Sequence, residues 1–198
     1  MIPKDLPTYY RLHSKFYDLT RWTFLFGRYS LPKYFPNLES ASRILDLGCG
    51  TGEHLDHLRK KYPDAEIIGL DLSTDMLCFV NREITKTIEI RNEYYTLDTF
   101  PEDEFDLILC SYSLSMMQNL EEVLESIIFH LKKNGMLLVV DFDSTPFSWF
   151  TKWMKKNHVH FDSNLFELLE KHFDVEYLIT RNAWFGLYTY STYLGSKK

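Results

Sequence analysis

An α/β fold on a mainly parallel sheet is predicted by two features of this sequence. Past residue 40, short apolar runs alternate with helical stretches, and a cluster of glycines sits between the first such run and the first helix. The first run, Arg43-Ile44-Leu45-Asp46, enters the loop Gly48-Cys49-Gly50-Thr51-Gly52. A helical stretch over 53–62 follows, and then a second run that ends at Asp71. Further strands are predicted at 87–91, 105–111 and 136–142, each bounded by turn or charged residues, as strands buried on both faces are.

Helix signals fall between these runs. Ser73 is placed to cap a helix through Met76, Phe79 and Val80. Asn119 is placed to cap one carrying Leu120, Val123, Leu124, Ile127, Ile128 and Leu131, with Asn134-Gly135 as its stop. Near the end, Ser163 is expected to cap a helix with Leu165, Leu168, Leu169 and Phe173. Two strand-like runs, 175–180 and 187–194, then pair antiparallel about a turn at Asn182 and Gly186.

With 198 residues and 45% hydrophobic content, the chain can bury one core but is short for two, so a single domain over 1–198 is expected. No apolar run is long enough to span a bilayer, and the first residues lack a leader's apolar stretch, so a cytoplasmic protein is expected. Cys49, Cys78 and Cys110 match neither a disulfide framework nor paired metal ligands and read as reduced thiols, two buried and one in the loop. The formal net charge of −6 argues against nucleic acid as a partner. That charge is unevenly spread: residues 1–36 carry six basic side chains against Asp5 and Asp18, and the remainder is correspondingly more acidic.

Two segments stand outside the sheet-and-helix core, over 40–142, and the terminal helix and strand pair, over 164–198. Residues 9–28, within the stretch 1–36, read as an amphipathic helix with Leu12, Phe16, Leu19 and Phe26 on one stripe. Its other stripe carries Tyr9, His13, Tyr17, Arg21, Phe24 and Arg28. Residues 146–161, within 143–163, mix Phe147, Trp149, Phe150, Trp153 and Met154 with Lys152, Lys155 and Lys156. Both are expected to cover a site at the carboxyl ends of the strands, where α/β sheets bind ligands, and their aromatic and basic mixture suggests peripheral contact with a membrane.

The chemistry-bearing constellation is strand, Asp46, glycine loop, helix, strand and Asp71. Glycines allow close approach of a ligand to the turning backbone, and an acid closing the second strand can accept from both hydroxyls of a ribose. The spacing is G-x-G-x-G, whereas a dinucleotide fingerprint needs G-x-G-x-x-G, so the loop suits a methionine tail better than a pyrophosphate. His54 and His57 lie three apart on a helix without a third ligand, which reads as a solvated face and gives no metal site.

The run Ile44-Leu45-Asp46-Leu47-Gly48-Cys49-Gly50-Thr51-Gly52 resembles motif I of class I S-adenosylmethionine (SAM)-dependent methyltransferases. The likeness continues through Gly69-Leu70-Asp71-Leu72-Ser73, residues 100–106 and residues 131–139. It implies a three-layer, Rossmann-like sheet of seven strands with the last antiparallel, and SAM as the cofactor. It places Gly48, Gly50 and Gly52, with Cys49 and Thr51 between them, beside the methionyl moiety. Asp46 then lies near its amino group, Asp71 on the ribose and Leu72 with Met76 against the adenine. Ser111, closing the fourth strand, joins the cofactor set. Where relatives often carry an acid near the adenine amino group, this chain has Tyr94 with Glu93 displaced by one. Where relatives often read Leu-His-His after the fourth strand, it has Leu114-Ser115-Met116.

Residues 10–28 also resemble the N-terminal helix of lipid-headgroup and quinone methyltransferases. By that likeness His13 and Tyr17 become candidate catalytic residues, with Asp141 at the end of a strand as a third. His158 and His160 are alternative bases. In-line methyl transfer to a small-molecule or lipid-like acceptor is expected, with an amine headgroup favoured because a neutral amine needs no base during attack. The readings left beside it are a quinol or phenol C- or O-methyltransferase, a non-catalytic SAM-binding module and an NAD-type oxidoreductase.

Overall fold

The computed structural model describes residues 24–161 and 164–198. Among these, seven strands form one sheet in the order β3-β2-β1-β4-β5-β7-β6: β1 Arg43–Leu47, β2 Glu66–Leu70, β3 Glu89–Arg91, β4 Phe105–Ser111, β5 Leu131–Phe142, β6 Phe173–Ala183 and β7 Tyr188–Lys197. The first five run parallel, whereas β7 lies antiparallel between β5 and β6. The helices are α1 Glu53–Lys61, α2 Thr74–Leu77, α3 Leu120–His130, α4 Ser148–Lys156 and α5 Leu165–His172.

The strand alternation builds two apolar layers. Ile44, Leu107, Leu109, Leu138 and Val140 meet Leu55 and Leu58 of α1, Phe150 and Met154 of α4, and Leu31 of a 3-10 segment, Arg28–Tyr34. Leu45, Leu47, Ile108, Leu137 and Val139 meet Val123, Leu124 and Ile127 of α3 and Leu165, Phe166 and Leu169 of α5. Most of these side chains are fully buried, each contributing about 1.5–3 kcal/mol on removal from water.

Several helix ends differ from expectation. Ser73 does cap, its Oγ accepting from the Met76 N–H at 3.3 Å, but the helix stops at Leu77 and Phe79 is 62% exposed. Asn119 precedes α3 in the left-handed region (φ 52°) and makes no side-chain cap, because a capping oxygen reaches back only from extended backbone. α3 ends at His130, since Leu131 turns extended to pair with Phe105; Asn134-Gly135 instead falls within β5, where the pairing with β4 shifts register, and a Cβ on Gly135 would sit 2.9 Å from the Phe105 carbonyl oxygen. The proposed Ser163 cap lies outside the described residues. Cys49 and Cys110 are buried, whereas Cys78 is exposed, so the loop cysteine is itself one of the buried pair.

Candidate active site

The strand order reverses at β1, which pairs with β2 on one side and β4 on the other, and such a switch point opens a crevice at the carboxyl ends of the strands. The glycine loop occupies it. Gly48, Gly50 and Gly52 all have positive φ (78°, 56° and 77°), and the Gly48 and Cys49 N–H groups donate to the Leu70 carbonyl at 2.8 and 3.1 Å, which ties the loop to the end of β2. A Cβ on Gly48 would collide with the Cβ of Ser113, just past β4, so glycine lets the ends of β1 and β4 close on each other. Ser113 Oγ locks that closure by donating to the Leu47 carbonyl at 2.7 Å.

Two acids flank the loop in different states. Asp46 is fully buried, and among the described residues neither of its carboxylate oxygens has a hydrogen-bond partner. Burial pushes its pKa up to about 7; nearby Arg28 opposes the rise, and the charges of Asp71 and Glu53 add to it. Asp71, by contrast, is half-buried and engaged: its Oδ2 accepts from the Gly50 N–H and its Oδ1 from the Ser73 N–H, both at 2.8 Å. It thereby joins the glycine loop to the start of α2. A carboxylate oxygen can accept more than one hydrogen bond, so the same group could also accept from ligand hydroxyls.

The other cofactor candidates are disposed around these acids. Leu72 and Thr51 are half-buried and Met76 is buried at the start of α2. Cys49 is buried and its thiol is driven up in pKa, chiefly by burial, so it serves as packing. Glu93 lies 3.7 Å from the Arg91 guanidinium, while Tyr94 is 42% exposed beside it. Ser111 Oγ meets His54 Nε2 at 3.1 Å.

That pair corrects one expectation. His54 is not on a solvated face: it is buried, on the inward side of α1 with Leu55 and Leu58, and only His57 is exposed. Burial, with Arg28 and His57 adding, lowers its pKa to about 3 and keeps it neutral. Its four-residue spacing from Leu58 was the available signal. The ion pair between Arg28 Nε and Glu53 Oε2, at 2.8 Å, was not legible at all, since the two residues are distant in sequence. Asn92 was also missed; its side-chain N–H donates to the Asp71 carbonyl at 2.9 Å.

On the other side of the crevice, the chain at 24–28 packs over the carboxyl ends of the sheet. Tyr112 and Tyr188 donate their hydroxyls to the Phe26 and Phe24 carbonyls, and Gly27 (φ 85°) lies against Tyr190 and Val140. Residues 146–161 arrive beside it: Phe150 stacks on Tyr188 (5.7 Å between centroids), and the His160 N–H donates to the Ser115 carbonyl at 2.8 Å. Asp141 is fully buried, with Oδ2 accepting from the Ser115 N–H at 3.1 Å and Oδ1 from the Phe142 N–H at 2.8 Å. His13 and Tyr17, and with them most of the proposed N-terminal helix, lie outside the described residues. No helix among the described residues is long and apolar enough to cross a membrane.

Comparison with known proteins agrees with this geometry. Residues 21–190 match a family model described as a methyltransferase domain. Over 111 residues the chain is 32% identical to a malonyl-[acyl-carrier protein] O-methyltransferase of Bacillus cereus, covering 55% of this chain and 41% of that one. Over 126 residues it is 27% identical to phosphoethanolamine N-methyltransferase 1 of Arabidopsis thaliana, covering 61% and 26%. The chain thus spans less than half the length of these two relatives. Among solved structures, geranyl diphosphate C-methyltransferase from Streptomyces coelicolor A3(2) superposes with a TM-score of 0.73 at 14% identity, covering 86% of this chain and 74% of that one. The family match, together with the glycine loop and its two flanking acids, shows that this chain belongs to the class I SAM-dependent methyltransferases.

Proposed function

We propose that the chain transfers a methyl group from SAM to a small or lipid-like acceptor and that the acceptor atom is an amine nitrogen. The observation that carries the cofactor half is Asp46. A buried carboxylate with both oxygens unpaired is costly, and the cost is relieved by a ligand that brings a cationic N–H donor to it. SAM has such a donor in its methionyl ammonium, and the three left-handed glycines leave the loop backbone open to that tail. Asp71 would accept from the ribose hydroxyls, with Leu72 and Met76 against the adenine. Glu93 and Tyr94 would stand at the adenine edge, while Cys49, Thr51 and Ser111 shape the floor.

When bound, SAM supplies an electrophilic methyl group on a sulfonium. The chain's own part is to orient the acceptor and exclude water. Segments 24–28 and 146–161 would do this as a lid, and half-buried Phe161, backed by Phe142, Phe150 and Tyr188, would offer the kind of ring face that holds a methylated ammonium by cation–π attraction. A neutral amine attacks with its own lone pair, so no side chain takes a proton first. Asp141, committed to two backbone N–H groups, supports the turn carrying Ser115 from beneath. The two relatives are named for methylation at oxygen, on malonyl-acyl-carrier protein, and at nitrogen, on phosphoethanolamine.

The second reading, oxygen or carbon methylation of a phenol or quinol, is favoured by His160, which is tied through its backbone to the Ser115 turn. Turnover assays on headgroup amines and on quinols, with wild type and His160→Gln, decide between the two. The amine reading expects amine turnover that changes less than threefold in the variant. Turnover of quinol alone, lost by about 100-fold or more in the variant as expected for a missing general base, would overturn it.

A further inference from the structure

Beyond the acceptor's identity, one surface is built for a different encounter. α4 buries Phe150 and Met154 and turns Trp149, Lys152, Trp153, Lys155 and Lys156 outward. The tip between β6 and β7, read from the sequence as a plain turn, carries Trp184 and Phe185. Both have left-handed backbone (φ 47° and 55°), which bulky residues rarely adopt, and Phe185 is fully exposed. Phe24 joins the two elements, its ring 5.9 Å from that of Trp153 and 6.1 Å from that of Trp184. The result is one continuous aromatic patch at the carboxyl ends of the strands, on the outer side of segments 24–28 and 146–161.

We propose that this patch docks on an anionic lipid bilayer. The charge pattern favours that occupant. The chain has 28 acidic residues, yet none falls in 144–161 or 177–198, while α4 brings three lysines and β6 brings exposed Arg181 next to the tip. Tryptophan with lysine is the composition of interfacial segments, where rings enter the headgroup layer and ammonium groups meet phosphates. Protein interfaces, in contrast, are depleted in lysine. On this surface the crevice faces the layer from which a lipid-like acceptor would enter. The docking rests on the patch alone and stands whichever acceptor atom is methylated.

The test is sedimentation of the full chain with vesicles of phosphatidylcholine alone and with phosphatidylglycerol added, at low and high salt. Partition onto the anionic vesicles alone is expected, with weakening at high salt and a blue shift of tryptophan emission. Phe185→Ser combined with Trp149→Ser should weaken it by tenfold or more, and Lys152→Glu by about fivefold or more. Val175→Ser, an exposed apolar residue at the far end of β6, should leave it unchanged. Calorimetric SAM binding checks that each variant is folded. No partition onto anionic vesicles, or partition that the patch variants do not alter, overturns the proposal. So does self-association by light scattering that the double variant abolishes while vesicles remain unbound, since the patch would then be the seat of a second copy.

Discussion

Replacing Asp46 with asparagine sets binding against stability at a single atom pair. The folded chain holds the Asp46 proton more tightly than the unfolded chain does, because burial has moved the carboxyl from 3.8 to about 7. Stability from this group is therefore greatest below about pH 4, falls as the pH rises and levels off above about pH 7. At roughly 1.4 kcal/mol per pH unit, the interval amounts to about 4 kcal/mol. The replacement amide cannot ionise, but it would lack partners where the carboxylate lacked them, a cost of about 1–3 kcal/mol. Without cofactor, Asp46→Asn should thus be more stable than wild type by about 1–3 kcal/mol at roughly pH 8, or about 2–10 °C in melting temperature for a chain of this size. The gap should close or reverse towards about pH 4, where the wild-type carboxyl is neutral as well. SAM affinity should meanwhile fall by about tenfold or more, since a charge-assisted bond is lost. Thermal melts across that pH range, with SAM titrations beside them, measure both. A variant less stable than wild type at about pH 8, or a gap indifferent to pH, would falsify the account of Asp46 as a carboxylate held in wait for a cationic donor.

Two further outcomes follow from the same face of the sheet. Asp71→Ala should weaken SAM binding by about tenfold or more and also lower the melting temperature, because the carboxylate anchors the Gly50 and Ser73 N–H groups. Calorimetry and melting together check this, and weakened binding with an unchanged melting temperature would show that the two backbone anchors are dispensable. His54 is held neutral with a pKa near 3, so the unfolded chain takes up a proton first as the pH falls below about 6.5, and stability is lost down to about pH 3. His54→Gln should remove roughly 3 kcal/mol of that loss at about pH 4, seen as a flatter acid limb in denaturant titrations. An acid limb identical to wild type would place the acid sensitivity elsewhere.

The parts of this site that were legible in the sequence are those whose chemistry is local. The turn after β1 needs positive φ at Gly48, Gly50 and Gly52, and a run of glycines after an apolar strand announces it. Asp71 is legible because strand, loop, helix and strand fix how far from Asp46 the second acid stands. Strand β4 was read at its true bounds, since an apolar run between Glu104 and Tyr112 has one way to be buried. What escaped was long-range. The Arg28–Glu53 pair forms only when the segment at 24–28 folds over the sheet. The burial of His54 depends on which side of α1 meets β4. Phe79 is expected on the helix that Ser73 caps, but α2 ends before it, and a helix of four residues has no further face to bury.

The same distinction divides the two halves of the crevice. On the proposed reading the cofactor half is local: the left-handed glycines and the acids Asp46 and Asp71, all drawn from a single βαβ unit. The acceptor half would be assembled from Phe24, Tyr112, Phe142, Phe150, Phe161 and Tyr188, which pack together from elements far apart in the chain. A ring at the margin of that cluster, such as half-buried Phe161, can be changed with least effect on the buried layer that also holds Cys49 of the loop. Phe161→Ala should for that reason shift the relative turnover of amine acceptors of different size while SAM affinity stays within about threefold, because truncating a ring that packs on Phe142, Phe150 and Tyr188 changes packing there and not the charge-assisted contacts expected at Asp46 and Asp71. A parallel loss of SAM affinity would mean that the two halves are one cooperative pocket.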